Sequence, residues 1–304
     1  MTDLPPALRQ RLAERLPAPL ELVARTDDDG GRTTKLAWAA EGGARVETVV
    51  MAYAERTTVC VSSQAGCAMG CPFCATGQAG FQRHLTTGEI VEQVVRARRL
   101  VAGPGTHPNI LFMGMGEPLA NLDATWAAVE RFHATLGISA RAITVSTVGM
   151  VPGIRRLAAE DLPVNLAVSL HAADDGLRDR LVPPNRRYPI TELTEACRRW
   201  VEAHGRRLTF EWALMAGVND RPADVVRLAG LARPLGAHVN LIPLNPTPGS
   251  AARPPAPADV RAFRDRLRHA GVNATIRHNR GTAIAAACGQ LAGAAPGPGG
   301  SGEG

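Results

Sequence analysis

The sequence predicts an α/β fold, an open, partial (β/α)6 barrel with a small N-terminal extension. From residue 57 onward, short β-rich runs alternate with helical ones, the pattern of a parallel sheet with helices outside it. The runs make six units, too few for a closed eight-unit barrel. Polar residues recur at the C-terminal ends of the strands, where such folds gather their chemistry.

In chain order, Leu4, Leu8, Leu12 and Leu16 recur every fourth residue and predict a short amphipathic helix within 1–20, despite the early prolines. Residues 26–32 read as a polar turn, followed by short strands around 34–39 and 45–51. The barrel strands are expected at 57–62, 109–113, 143–146, 164–170, 208–214 and 238–243. Helices are expected near 88–102, 122–136, 152–160, 191–203, 222–233 and 257–270. The first of them has a clean start. Thr86 and Glu89 have capping-box spacing, and Ile90, Val91, Val94 and Val95 form one apolar stripe. Residues 292–304 are rich in Gly and Pro and read as a disordered tail. The expected division is an accessory region at 1–52, a core at 53–291 and the tail at 292–304.

A chain of 304 residues can bury a large core. No run of about 18 apolar residues exists, so no bilayer span is expected. The start Met1-Thr2-Asp3-Leu4-Pro5-Pro6 lacks the basic and apolar regions of a signal peptide. A cytoplasmic setting is expected, in which six cysteines stay reduced unless they hold metal or do redox work. The net charge of +6 favours an anionic partner such as nucleic acid.

The run Cys67-Ala-Met-Gly-Cys71-Pro-Phe-Cys74 folds back on itself and can aim three thiolates at one centre. Soft thiolates suit iron–sulfur clusters or zinc. A structural zinc site usually takes a second ligand pair, whereas Cys60, Cys197 and Cys288 are scattered singly. Zinc is the lesser reading, and a disulfide framework needs a secretory context. A four-iron cluster held by three sulfurs leaves one iron open to another ligand. Gly114-Met115-Gly116-Glu117-Pro118 follows a strand; its glycines permit close backbone approach to a ligand, and Glu117 offers a carboxylate to an ammonium group. Taken alone it is equally an ordinary strand-to-helix turn. Ser146, the triplet Ser169-Leu170-His171, and Asn245 lie at or just past strand ends, where they serve either as turn residues or as contacts to a sulfonium, a carboxylate and a ribose. Cys197 sits in a helical apolar stripe and reads as a small buried hydrophobe, and Cys288 alone reads as a core helix residue. Arg277, His278, Asn279 and Arg280 form one basic cluster, and Arg186 and Arg187 another; both suit phosphates or a solvated face.

The chain resembles the radical S-adenosylmethionine methyltransferases that act on adenine in ribosomal RNA, in particular the bacterial 23S rRNA adenine-C2 methyltransferases of dual specificity. The matching stretches include VETV (46–49), CVSSQAGCAMGCPFCATGQAGF (60–81), FMGMGEPLANLD (112–123), ITVSTVGMVPGI (143–154), NLAVSLHAADDGLRDRLVP (165–183), HVNLIPLNPTPG (238–249) and IRHNRGTAIAAACGQL (276–291). The resemblance implies that Cys67, Cys71 and Cys74 hold one [4Fe-4S] cluster. It implies that S-adenosylmethionine, two per turnover, is steadied by Gly116, Glu117, Ser146, Ser169, Leu170, His171 and Asn245. It implies that Cys288 carries a methyl group, and that a carbon radical formed there adds to adenine C2. Cys60 then releases the product, leaving a Cys60–Cys288 disulfide for reduction, and Glu47 accepts a proton. Adenine C2 is electron-poor and offers no nucleophilic lone pair, so a radical route suits it. The implied partners are 23S ribosomal RNA, with transfer RNA as a further substrate, and an electron donor of the flavodoxin or ferredoxin type. No membrane partner is implied, and the protein is expected to be a monomer. Family members carry an N-terminal accessory domain that is expected to be truncated here. Two alternatives share much of the machinery: an adenine-C8 methyltransferase linked to antibiotic resistance, and a radical activator of proteins.

Overall fold

A computed structural model describes residues 4–15, 18–102 and 107–293. Leu16 and the tail from residue 294 lie outside the described residues. Helix α1 (Pro6–Arg15) covers the leucine-spaced segment, with Leu8 exposed.

Three antiparallel strands follow: β1 (Leu20–Asp28), β2 (Thr33–Ala40) and β3 (Arg45–Ala52). The first was not expected, because Glu21, Arg25, Asp27 and Asp28 obscure its alternation. The polar stretch at 26–32 splits accordingly into the end of β1 and a turn through Asp29, Gly30 and Gly31, all with positive φ. Strand β3 pairs antiparallel with β4 (Thr57–Cys60), so the N-terminal strands continue the barrel sheet.

From β4 onward the sheet is parallel. Its order runs through β7 (Asn109–Phe112), β8 (Ile143–Thr147), β9 (Asn165–Ser169), β10 (Leu208–Leu214), β11 (His238–Pro243) and β12 (Ala274–Ile276), making ten strands among the described residues. The six expected barrel strands are all present. The extra β12 is three residues long, too short to leave a period in the sequence. A separate hairpin of β5 (Gln64–Gly66) and β6 (Phe81–His84) brackets the cysteine run, with the short helix α2 (Ala75–Gln78) between them.

Helices α3 (Thr87–Ala97), α4 (Leu122–Ala134), α5 (Val151–Leu157), α7 (Ile190–His204), α8 (Pro222–Ala232) and α9 (Pro257–His269) answer the six expected ones; the two-turn α6 (Asp175–Leu181) is additional. The capping box of α3 closes both ways, with Glu89 N donating to Thr86 Oγ1 (3.2 Å) and Thr86 N donating to Glu89 Oε2 (2.8 Å). Ile90 and Val94 are buried against the sheet. Strand and helix side chains share one apolar core that includes Trp38, Phe112, Phe132, Trp200, Phe210 and Phe263. Among the described residues, no helix is long and apolar enough to cross a membrane.

Candidate active site

The cysteine run leaves the hairpin at Gly66, whose φ is +72°. A Cβ there would lie 1.9 Å from the Gly80 carbonyl oxygen, so only glycine lets the loop close. Cys67 N donates to Gly80 O at 2.9 Å, and Cys74 N to Cys71 O at 3.2 Å. All six cysteines are free, so no Cys60–Cys288 disulfide is present. Burial pushes the Cys67 thiol up to about 12 and raises Cys71 further, and each of the two is also raised by the nearby Cys74 and Glu117 charges. Such thiols become thiolates when a metal compensates the charge.

Three free thiols in one loop, close enough to perturb one another, are a soft donor set that suits an iron–sulfur cluster.

Beside the loop lies a cavity of about 160 Å³, walled by the ends of the parallel strands. Cys71 and Cys74 line it with Gly116, Glu117, Ser146, Ser169, His171, Asn245 and Cys288. Glu117 is buried; its Oε1 accepts from Leu119 N (3.0 Å) and its Oε2 from Val148 N (2.8 Å). Burial still lifts its carboxyl to about 7, against the pull of these donors. Lone pairs remain for an ammonium group. His171 has φ +57°, and its Nδ1 accepts from Ala213 N at 2.9 Å. Burial drops this imidazole to about 3, so it is neutral with Nε2–H as its ring donor. Ser146 Oγ donates to Phe112 O, and Asn245 Nδ2 donates to Cys288 O at 3.0 Å.

Some expected contacts take another form. A Cβ on Gly116 would sit 2.5 Å from Gln64 Cβ, and one on Gly114 would sit 2.6 Å from Val61 O. The close approach these glycines permit is therefore to the neighbouring β4–β5 chain. Leu170 is fully buried in the core, with its N donating to Glu211 O at 3.0 Å. Glu47 is also buried; its Oε1 pairs with Lys35 Nζ at 3.2 Å and its Oε2 accepts from Ala292 N at 3.0 Å. It thereby fastens the segment that follows Cys288.

Cys288 is not in a helix. It sits in a chain of turns tied to the cysteine loop by Ala75 N donating to Gly289 O (2.7 Å) and Thr76 Oγ1 donating to Leu291 O (2.5 Å). Cys288 thus lines the cavity shared with Cys71 and Cys74, and it also lines a second, small cavity shared with Cys60 at the end of β4. Burial pushes the Cys60 thiol up to about 12. Cys197 is buried in α7, as expected.

Below the strand ends a larger chamber of about 750 Å³ opens at the N-terminal mouth of the barrel. Polar residues at the starts of the strands point into it, among them Thr58, Asn109, Thr144, Asn165 and His238. Arg56, Arg141, Arg206, Arg207, Arg277 and Arg280 line it, against one carboxylate, Glu211. Arg56 and Arg280 stack on the Tyr53 ring at 4.5 and 4.3 Å. The basic cluster at 277–280 therefore belongs to this chamber. Met113 and Glu211 line both the chamber and the cavity above it.

Sequence reasoning passed over Arg178, which lies in the quoted NLAVSLHAADDGLRDRLVP stretch. Its guanidinium is fully buried and donates to Leu170 O (3.1 Å), Asn185 Oδ1 (2.8 Å) and Val148 O (2.6 Å), joining the ends of β8 and β9. Position alone did not mark it, because one arginine on a charged helix reads as exposed.

A parallel partial barrel with a three-thiol loop at its strand ends defines a radical S-adenosylmethionine enzyme, and residues 61–229 match the Radical SAM superfamily. The fold superposes on the crystal structure of a radical SAM methyltransferase from Sphaerobacter thermophilus with a TM-score of 0.93, at 52% identity over 96% of this chain and 87% of that one. A dual-specificity RNA methyltransferase RlmN from Parafrankia sp. (strain EAN1pec) is 54% identical over 97% of this chain and 81% of its own length. One of the same name from Mycolicibacterium smegmatis is 52% identical over 96% and 84%. The chain belongs to this RlmN family of dual-specificity RNA methyltransferases. It is an enzyme that transfers methyl groups, and its family implies an iron–sulfur cluster and S-adenosylmethionine.

Proposed function

We propose that this enzyme methylates C2 of an adenine in 23S ribosomal RNA, with transfer RNA as a further substrate, by way of a methyl group carried on Cys288. The observation that carries this reading is the double membership of Cys288. Cys288 lines both the cavity walled by Cys71 and Cys74 and the one walled by Cys60.

Cys67, Cys71 and Cys74 would hold one [4Fe-4S] cluster, and Glu117, His171, Ser146, Ser169 and Asn245 would steady S-adenosylmethionine; Gly116 and Leu170 would shape that pocket from behind. When bound, these groups supply a methyl group and, after one-electron reduction by a flavodoxin- or ferredoxin-type donor, a hydrogen-abstracting carbon radical. Cys288 accepts the methyl as a thioether and, after hydrogen abstraction, presents its carbon radical to the base; the one electron that the base adduct must then give up would be taken back by the oxidised cluster. Cys60 then attacks the Cys288 sulfur. The S–S bond forms as the S–CH2 bond breaks, and the electron pair passes to the carbon, which takes up a proton to complete the methyl. Glu47 would accept the proton leaving C2. Two further electrons reduce the disulfide. The arginine-lined chamber supports RNA as substrate, since guanidinium groups pair with phosphates and a chamber of this size admits an unstacked nucleotide. We take the enzyme to act as a monomer in the cytoplasm, with 53–291 as its catalytic core.

The test is nucleoside mass spectrometry of ribosomal and transfer RNA treated with the reduced, cluster-loaded enzyme. 2-Methyladenosine in 23S RNA is expected. 8-Methyladenosine would place the enzyme with the C8 methyltransferases, and neither product would overturn the reading.

A further inference from the structure

Arg277 and Arg280 both line the chamber and the small cavity of Cys60 and Cys288, and they differ in what their side chains bind. The Arg277 backbone N donates to Leu241 O at 2.8 Å, extending the β11–β12 ladder by one residue. The side chain then enters the small cavity that Cys60 and Cys288 share. There its one side-chain hydrogen bond among the described residues goes to Met113 Sδ at 3.6 Å, a weak acceptor. Arg280, by contrast, is committed to Ala52 O (2.8 Å), to the Asp29 carboxylate (3.8 Å) and to the Tyr53 ring. A guanidinium with spare donors, in a cavity walled by two cysteines, suits an anion that forms there. The cavity is about 20 Å³, room for roughly one water, so solvent does little to carry such a charge.

We propose that Arg277 is a positioning residue for this sulfur pair, its guanidinium being the counter-charge that lets Cys288 and then Cys60 react as thiolates. The thiol proton leaves to solvent when each thiolate forms, and no electrons move in that step. Glu211 on β10 faces the same guanidinium, held by Asn240 Nδ2 donating to its Oε2 at 2.8 Å, and competes for it. Tyr53 also faces it, and His278 and Arg280 share the cavity wall. The direction of the charges agrees. Arg277 draws the Cys60 thiol down against burial and against the Cys288 charge, and Cys288 is the largest cause that raises the Arg277 guanidinium.

The assignment of work to the two sulfurs rests on the function proposed above, but the test does not. Cluster-loaded enzyme without RNA is alkylated with iodoacetamide from neutral to alkaline pH, and each cysteine is followed by peptide mass spectrometry. Arg277→Gln is expected to slow alkylation of both cysteines about tenfold at neutral pH and to move the Cys60 profile upward, with Arg277→Lys restoring most of the rate. Glu211→Gln is expected to quicken it. An unchanged profile in Arg277→Gln overturns the proposal, as does weaker RNA binding with an unchanged profile, which would return Arg277 to the phosphates. Should Arg277→Gln fail to fold, the Glu211→Gln profile decides, and an unchanged or slower rate overturns the idea. A shifted profile alongside a product other than 2-methyladenosine leaves Arg277 in this role and removes the C2 reading instead.

Discussion

At the scale of single residues, the two lone cysteines separate by what their loss does. Cys288→Ala is expected to abolish RNA methylation while 5′-deoxyadenosine still forms from S-adenosylmethionine. Cys60→Ala is expected to halt the reaction at a covalent protein–RNA adduct, seen as a retarded band on a denaturing gel. Methylated RNA from either variant would contradict the division of work. His171 gives a pH prediction. Its folded value near 3 lies below the ordinary 6.5, so the unfolded chain takes up the proton first. Its contribution is fully present above 6.5 and is lost as pH falls toward 3. Moving metal-free protein from about pH 7 to about pH 5 should cost this site about 2 kcal/mol, read from denaturant midpoints. His171→Asn, which tolerates the positive φ, should show a shallower loss. That Cys71, Cys74, Glu117 and His171 would meet in one cavity was legible because the chain has only six cysteines, three of them in one run, and because Glu117 and His171 follow strand ends. Arg178 and the inward turn of Arg277 were not, since an arginine's direction is set by packing from distant strands. Glu47 was visible as a carboxylate, but its ties to Lys35 and Ala292 join residues far apart in the chain.

At the scale of elements, the six β/α units and the Thr86–Glu89 cap were readable because period and cap are local patterns. Strand β12 and the β5–β6 hairpin were not, being three or four residues long and stabilised by their neighbours. That hairpin sets the cysteine loop, and Gly66 is its tightest point. Gly66→Ala should therefore lower the iron content of reconstituted protein while the far-ultraviolet circular dichroism stays close to wild type. Full iron loading would show that the loop tolerates a wider turn. Thr86→Ala removes one half of the α3 cap and should destabilise the fold by about 1 kcal/mol without altering iron content.

For the whole molecule, the barrel presents two ends of different character. Cysteines and neutral polar groups gather at the C-terminal ends of the strands, and arginines ring the N-terminal mouth. The excess of basic over acidic residues in the composition hinted at an anionic partner, and folding concentrates it, since residues from the starts of separate strands meet only once the sheet curls. Reversing two charges, Arg206→Glu with Arg207→Glu, should weaken RNA binding at least about tenfold and flatten its salt dependence by about two contacts. Cleavage of S-adenosylmethionine in the absence of RNA should be unchanged. An unaltered salt dependence would move the RNA to another face. Between the two ends lies the small cavity of Cys60 and Cys288, which shares Met113, Arg277 and Arg280 with the chamber, and carrying carbon across it is the work given to Cys288. The most direct measurement is the mass of the Cys288 peptide from cluster-loaded enzyme incubated with methyl-deuterated S-adenosylmethionine and then digested. One deuterated methyl on Cys288, lost on reaction with RNA, is the predicted result. An unmodified Cys288 in protein that still methylates RNA would contradict it.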